Sequence, residues 1–209
     1  QASYISHLDT MRTFQRVFPR AELHLKHSNG FHPHPIISIV LPLPVGQSSD
    51  CELLDFETVE ETDGAGIAEK LNTGLPAGLR VRECYPVTRP VREFTFLRAR
   101  LELLYDNGVP AGTADALRAL FARETLMIEK RTKHKELAQI DIAPLIREMT
   151  LTEQDGSILA DAVVAAQNPG LNPAYLAQAI ERELPSLKPD FVRVRRTEIY
   201  DTEDRKSVV

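Results

Sequence analysis

The chain has 209 residues, 43% apolar and 26% charged, a globular composition able to bury about 70% of its unfolded surface and unlike that of a disordered chain or a disulfide-stapled miniprotein. No apolar run approaches the roughly 20 residues of a membrane helix, and no secretory leader pattern opens the chain, so a soluble, cytoplasmic protein without membrane association is expected. A formal net charge of −5 argues against indiscriminate nucleic-acid binding, so a polyanion would have to choose a local basic surface.

In chain order, the periodicity predicts a short strand ending near Ile5 and then a helix over about Leu8 to Glu22, with Met11, Phe14, Phe18 and Ala21 on one face. Ser6 and Asp9 form its N-terminal capping pair. A strand over Leu23 to His27, a turn at Asn29-Gly30, a β-rich run from Ile36 to Leu41 and a strand over Cys51 to Val59 follow. A helix over roughly Gly66 to Leu71 and a strand over Leu79 to Val87 complete the order β-α-β-β-α-β. After a connector at Val87 to Pro90, Phe94 to Tyr105 reads as a strand and Thr113 to Arg123 as a helix. Leu126 to Thr132, Arg147 to Thr152 and Ser157 to Ala166 read as strands, the last two joined by the hairpin signal Asp155-Gly156. A helix from Asn172-Pro173 to about Glu183 and a strand over Phe191 to Tyr200 repeat the first order. The expected fold is therefore α+β, two tandem ferredoxin-like (βαββαβ) units with antiparallel sheets, residues 1–90 and 91–209. No residue-level repeat links the two.

Charge is segregated along the chain. From Gln47 to Glu69 there are eight acids (Asp50, Glu52, Asp55, Glu57, Glu60, Glu61, Asp63, Glu69) and no Lys or Arg. Arg12, Arg16, Arg20 and Lys26 share the first 34 residues with five of the six histidines, and Lys130, Arg131, Lys133, His134 and Lys135 make a second basic run. That run reads as a strand end and loop, with Arg193 and Arg195 placed to extend it as a phosphate-contacting surface. Glu52, Asp55 and Glu57 read as a solvated acidic strand rather than a Mg²⁺ or acid-base pair. Cys51 and Cys84 lack any metal or cluster spacing and are expected to be buried thiols.

Arg12, Arg16 and Arg20 lie at i, i+4 and i+8, a stripe opposite the apolar face of the first helix. The run Ser28-Asn-Gly-Phe-His-Pro-His-Pro35 places His32 and His34 two apart in an extended segment, projecting to one side, with Phe31 expected to anchor the loop in the core. Such histidines have three uses. A metal site would take His32, His34 and His7 or His27, but no carboxylate or thiolate stands at a ligand spacing beside them. Acid-base chemistry would use the imidazoles of His7, His32 and His34, histidine being the side chain suited to proton transfer near neutral pH. The least demanding use is to hold a phosphate or carboxylate, with Ser6, Asp9, Arg12, Arg16, Arg20, Ser28, Gly30, His32, His34, Lys130, Arg131 and Lys133 as the binding set.

The strings Tyr4-Ile-Ser-His-Leu-Asp-Thr-Met-Arg-Thr-Phe-Gln-Arg16, Ser28 to Pro35 and Leu41-Pro-Leu-Pro-Val-Gly46, with weaker likeness at Leu75 to Leu79 and Ile140 to Ile146, resemble a bacterial radical-SAM-linked domain family of unknown function. The resemblance implies a domain encoded beside, or fused behind, a radical-SAM protein, which agrees with a chain starting at Gln1 as a piece of a longer polypeptide. It carries over to Ser6, His7, Asp9, Arg12, Arg16, Ser28, Gly30, Phe31, His32, Pro33, His34, Pro35, Pro42 and Gly46, and assigns them no reaction. Where the family has an arginine in its Asp-Ile-x-Pro motif this chain has Ala143. Two cysteines 33 positions apart are too few for a radical-SAM cluster, so S-adenosylmethionine and the iron-sulfur cluster are expected on the partner alone and no cofactor on this chain.

Three functions follow. The first is a non-catalytic accessory domain that binds an RNA or other phosphate-bearing substrate and presents it to a radical-SAM enzyme. The second is a stand-alone, metal-independent RNA-processing or RNA-modifying enzyme working through histidine. The third is a protein-protein adaptor with no affinity for nucleic acid.

Overall fold

The computed structural model describes residues 4–61, 63–131 and 136–201. Within them the chain is α+β, with antiparallel strand pairs. It forms two compact units, residues up to 48 with 52–91, and residues 49–51 with 92 onward. No helix among the described residues is long and apolar enough to cross a membrane.

The first unit is built on α1 (His7–Arg20), whose start is set by Ser6 as N-cap. Val17 and Phe18 are buried with Leu23, Leu25, Ile67 and Leu71, and Phe14 and Ala21 pack against them. The periodic face read from the sequence thus holds from Phe14 onward. The helix closes with Leu23 N–H donating to the Phe18 carbonyl at 3.0 Å, which requires Glu22 to adopt φ 57°. A side chain there is strained, so Glu22→Gly is expected to stabilise the protein by about 1 kcal/mol, read from its urea midpoint.

β1 (Ile37–Val40) pairs with β3 (Leu53–Phe56) as a two-stranded sheet. The remainder of the first unit departs from the expected β-α-β-β-α-β order. Residues 4–6 contribute no strand, and the segment Leu23 to His27 makes only isolated bridges, Leu25 with Thr58 and His27 with Pro35. Leu79 to Val87 forms no strand either. At Val81 it is held by α2 (Gly64–Gly74): Asn72 accepts from Val81 N–H at 2.9 Å and donates to the Val81 carbonyl at 2.8 Å. Gly64 allows the close approach, since a Cβ there would sit 1.8 Å from the Cys84 carbonyl oxygen. At Val81 a side chain thus makes the bonds that a neighbouring strand would make.

In the second unit, β2 (Ser48–Ser49), β4 (Phe94–Leu104), β7 (Ile146–Gln154), β8 (Ser157–Ala165) and β9 (Phe191–Asp201) form a sheet in the order β2-β9-β4-β8-β7. α3 (Thr113–Phe121) and α4 (Ala174–Glu183) share the core formed by Leu97, Ala99, Leu101 and Leu103 of β4. The Asp155-Gly156 turn is present, with Gly156 at φ 69°. The sequence reading lacked β6 (Leu137–Asp141), which among the described residues pairs with β5 (Met127–Arg131) as a two-stranded sheet. This hairpin is held to α4 by Gln178 Nε2 donating to the Glu129 carbonyl at 3.0 Å and Arg182 to the Met127 carbonyl at 3.2 Å.

Candidate functional site

At the N-terminus of α1, Ser6 Oγ accepts from Asp9 N–H at 3.1 Å and its hydroxyl donates to Asp9 Oδ2 at 2.7 Å. Arg12 Nη1 donates to Asp9 Oδ1 at 3.2 Å. The Ser6 hydroxyl, then Arg12, hold the Asp9 carboxyl below its ordinary 3.8, and the helix N-terminus favours the same ionised form. Ser6 and Asp9 therefore serve the helix, with their polar groups turned on one another. Because Asp9 is depressed, the stability it adds is fully present above its ordinary value and is lost as pH falls through the lowered one. Ser6→Ala is expected to cost about 1 kcal/mol at neutral pH, and carboxyl NMR should show Asp9 titrating closer to 3.8.

The arginines differ in how far they are committed. Arg12, Arg16 and Arg20 are all exposed. Arg12 is shared with Asp9, whereas Arg16 and Arg20 make no hydrogen bond or ion pair among the described residues. His7, in the first turn of the same helix, is exposed and without a polar partner among them.

The histidine loop is closed as a narrow hairpin by Ser28 N–H to the His34 carbonyl at 2.9 Å and Ile36 N–H to the Lys26 carbonyl at 2.8 Å. Ser28 Oγ accepts from His34 N–H at 3.2 Å and lies 2.8 Å from His34 Nδ1. The Ser28 hydroxyl thus occupies one nitrogen and leaves Nε2 as the ring's remaining polar atom. Gly30 takes φ 133° at the bend, a backbone that side chains rarely adopt. His32 is exposed and its side chain has no polar partner among the described residues. Phe31 corrects an expectation: it is fully exposed at the loop tip rather than anchored in the core, because Ser28 and the backbone bonds close the loop without it.

No hydrogen bond or ion pair joins His7 to His32 or His34. His27 Nδ1 lies 3.1 Å from the Leu25 carbonyl and His24 Nδ1 2.6 Å from Glu60 Oε1, so these two histidines are engaged within the fold. His24 in turn holds the Glu60 carboxyl below its ordinary value. Among the described residues no three His, Cys, Asp or Glu side chains are grouped to hold a metal ion. Much of the acidic stretch is also in use: Glu57 pairs with Lys26 at 3.4 Å, Asp63 caps α2, and Asp50 binds Arg195.

Most of the second basic surface lies outside the described residues. Lys130 is partly buried on β5, the side chain of Arg131 and all of Lys133, His134 and Lys135 lie outside the described residues, and the two arginines meant to extend the run are neutralised. Arg193 donates to Glu102 at 3.0 Å and Arg195 donates to both oxygens of Asp50 at 2.7 and 2.5 Å. Their acids lie on neighbouring strands or far earlier in the chain, where no local pattern shows them. Cys51 is buried, while Cys84 is half-buried with its thiol pushed up by burial.

A family model described as "Uncharacterized protein conserved in bacteria (DUF2344)" matches residues 1–173. No curated protein matches the chain.

Proposed function

Given that the chain belongs to the DUF2344 family of uncharacterized bacterial proteins, we propose that it is an accessory domain whose first unit binds a phosphate-bearing substrate, RNA foremost, and presents it to a radical-SAM enzyme. The observation carrying this reading is the contrast between arginines. Arg16 and Arg20 of α1 are exposed and uncommitted among the described residues, while Arg193 and Arg195 are neutralised by acids. An incoming phosphate gains most from a guanidinium that need not first give up a carboxylate. His32 and His34 add donors on the exposed loop. The radical-SAM link is supported by the motif resemblance alone, and the partner would supply S-adenosylmethionine and the cluster.

We read the second unit as ferredoxin-like. Support comes from the order β4, α3, β7, β8, α4, β9 and the strand arrangement β9-β4-β8-β7, with the β5–β6 hairpin as an insertion. A tandem pair is not proposed, given the irregular first unit.

One observation favours the enzyme reading as a second choice: the contact between Ser28 Oγ and His34 Nδ1 orients an imidazole, as acid-base chemistry needs. Fluorescence anisotropy of the protein with labelled single-stranded RNA and transfer RNA, over a salt series, tests the main reading. Binding that weakens steeply with salt is expected; absence of binding at low salt would sink it and favour the adaptor. RNA turnover by the protein alone, abolished in His34→Gln, would move the assignment to the enzyme.

A further inference from the structure

Phe31 stands at the tip of the first unit's histidine loop and is 102% exposed, as open to water as in an extended chain. Both faces of its ring are free, and among the described residues no aromatic pair or guanidinium contact involves it. The support beneath the ring is nonetheless closed. Ser28 N–H bonds to the His34 carbonyl, His34 N–H to Ser28 Oγ and Ile36 N–H to the Lys26 carbonyl, with His27 bridged to Pro35. Pro33 and Pro35 stiffen the returning arm. A Cβ added to Gly30 would meet nothing within 4 Å, so the space beside the bend is open as well.

A phenyl ring is one of the largest apolar contributions a side chain can make to a core, and here the chain leaves it in water on a bonded hairpin. A ring held ready in this way loses little freedom when a ligand meets it. The surroundings select the occupant. Asn29, His32 and His34 are exposed beside it, the side chains of Asn29 and His32 have no polar partner among the described residues, and His34 keeps Nε2 while Ser28 occupies Nδ1. A hot spot for a protein partner is an anchor set among neighbours that exclude water, and a membrane-inserting segment gathers several apolar side chains on one face. Asn29, Gly30, His32 and His34 supply neither. One free apolar face among imidazole and amide donors matches a nucleotide, which brings a flat base and acceptor oxygens together.

We propose that Phe31 is a stacking platform for one unpaired base of the bound RNA, with His32 and His34 Nε2 supplying hydrogen bonds to that nucleotide. The proposal rests on the reading of the first unit as an RNA-binding surface and narrows its substrate to single-stranded or looped-out RNA. The bases of a duplex are already stacked on one another and offer no free face to a side chain. Stacking on an aromatic ring tolerates any base, because every base has a π-face, so the loop selects unpaired structure rather than sequence.

The sequence contains no tryptophan, so Phe31→Trp places a single fluorophore at the loop tip of the full chain. Titration with a short, unstructured single-stranded RNA is expected to quench it saturably, over the concentrations at which anisotropy reports binding by the wild type. Phe31→Ala should weaken binding of the single strand roughly tenfold and leave the salt slope unchanged, since no charge is removed. Binding of a blunt RNA duplex of the same length should not change. An abasic strand should bind the wild type as weakly as the normal strand binds Phe31→Ala. The circular dichroism spectrum of each variant should match that of the wild type, because the ring is outside the core. Wild-type affinity in Phe31→Ala, or no quenching of Phe31→Trp at saturation, would overturn the proposal, leave the ring for a protein contact and let the arginine reading stand. Equal weakening of single strand and duplex would overturn it too. Absence of RNA binding by the wild type at low salt would remove both readings together.

Discussion

Phe18→Ala is expected to destabilise the first unit by about 3–5 kcal/mol. Phe18 is fully buried and meets Phe56 edge-on, with ring centres 4.8 Å apart at 63°, so truncation removes both buried apolar surface and an aromatic pair. The unit has few residues with which to fill the gap, since its buried cluster consists of Val17, Phe18, Leu23, Leu25, Ile67 and Leu71. Hydrogen exchange along α1 together with urea unfolding would measure the loss, and Phe18→Leu should recover part of it. A loss below about 1 kcal/mol, the scale of a surface cap, would mean that α1 is not the organising element of that core. Because α1 also carries the arginine stripe, Phe18→Ala should weaken RNA binding without touching a charge.

The triple replacement Arg12→Ala, Arg16→Ala, Arg20→Ala is expected to flatten the slope of log affinity against log salt by about 2–3 and to weaken RNA binding roughly a hundredfold at low salt, since each lost phosphate contact removes somewhat less than one unit of slope. The fold should survive. Alanine is the best helix former, and the one ion pair lost, Arg12 with Asp9 at 3.2 Å, is exposed on both sides and of a kind that contributes little. Arg16→Lys with Arg20→Lys should keep the slope and lose part of the affinity, because lysine retains the charge without the planar fork. An unchanged slope in the triple variant would take α1 out of the binding surface.

Local signals were the legible ones. The Ser6/Asp9 cap, the Phe14, Phe18 and Ala21 face, the Asp155-Gly156 hairpin and the alternating strand β4 each depend on neighbours within a few residues. The same logic misread residues 79–87, which form no strand and in which Val81 bonds to the side chain of Asn72 instead. It also left out β6, because the basic run before it reads as loop and its partner β5 shows no sheet of its own beyond the hairpin.

At the candidate sites the division is similar. Residue types and spacing on α1 and in the Ser28–Pro35 loop determined a stripe of guanidinium groups and a pair of imidazoles, since helical and extended geometry follow from local backbone preferences. Which cations remain available was decided only by tertiary structure. Arg195 meets Asp50 across 145 positions of sequence, and Arg193 meets Glu102 across 91, pairings that depend on sheet register rather than on any local pattern. The setting of Arg98 arises in the same way: Asp161, Glu148 and Glu198, which lie 3.6, 3.8 and 4.0 Å from its guanidinium, come from three different strands.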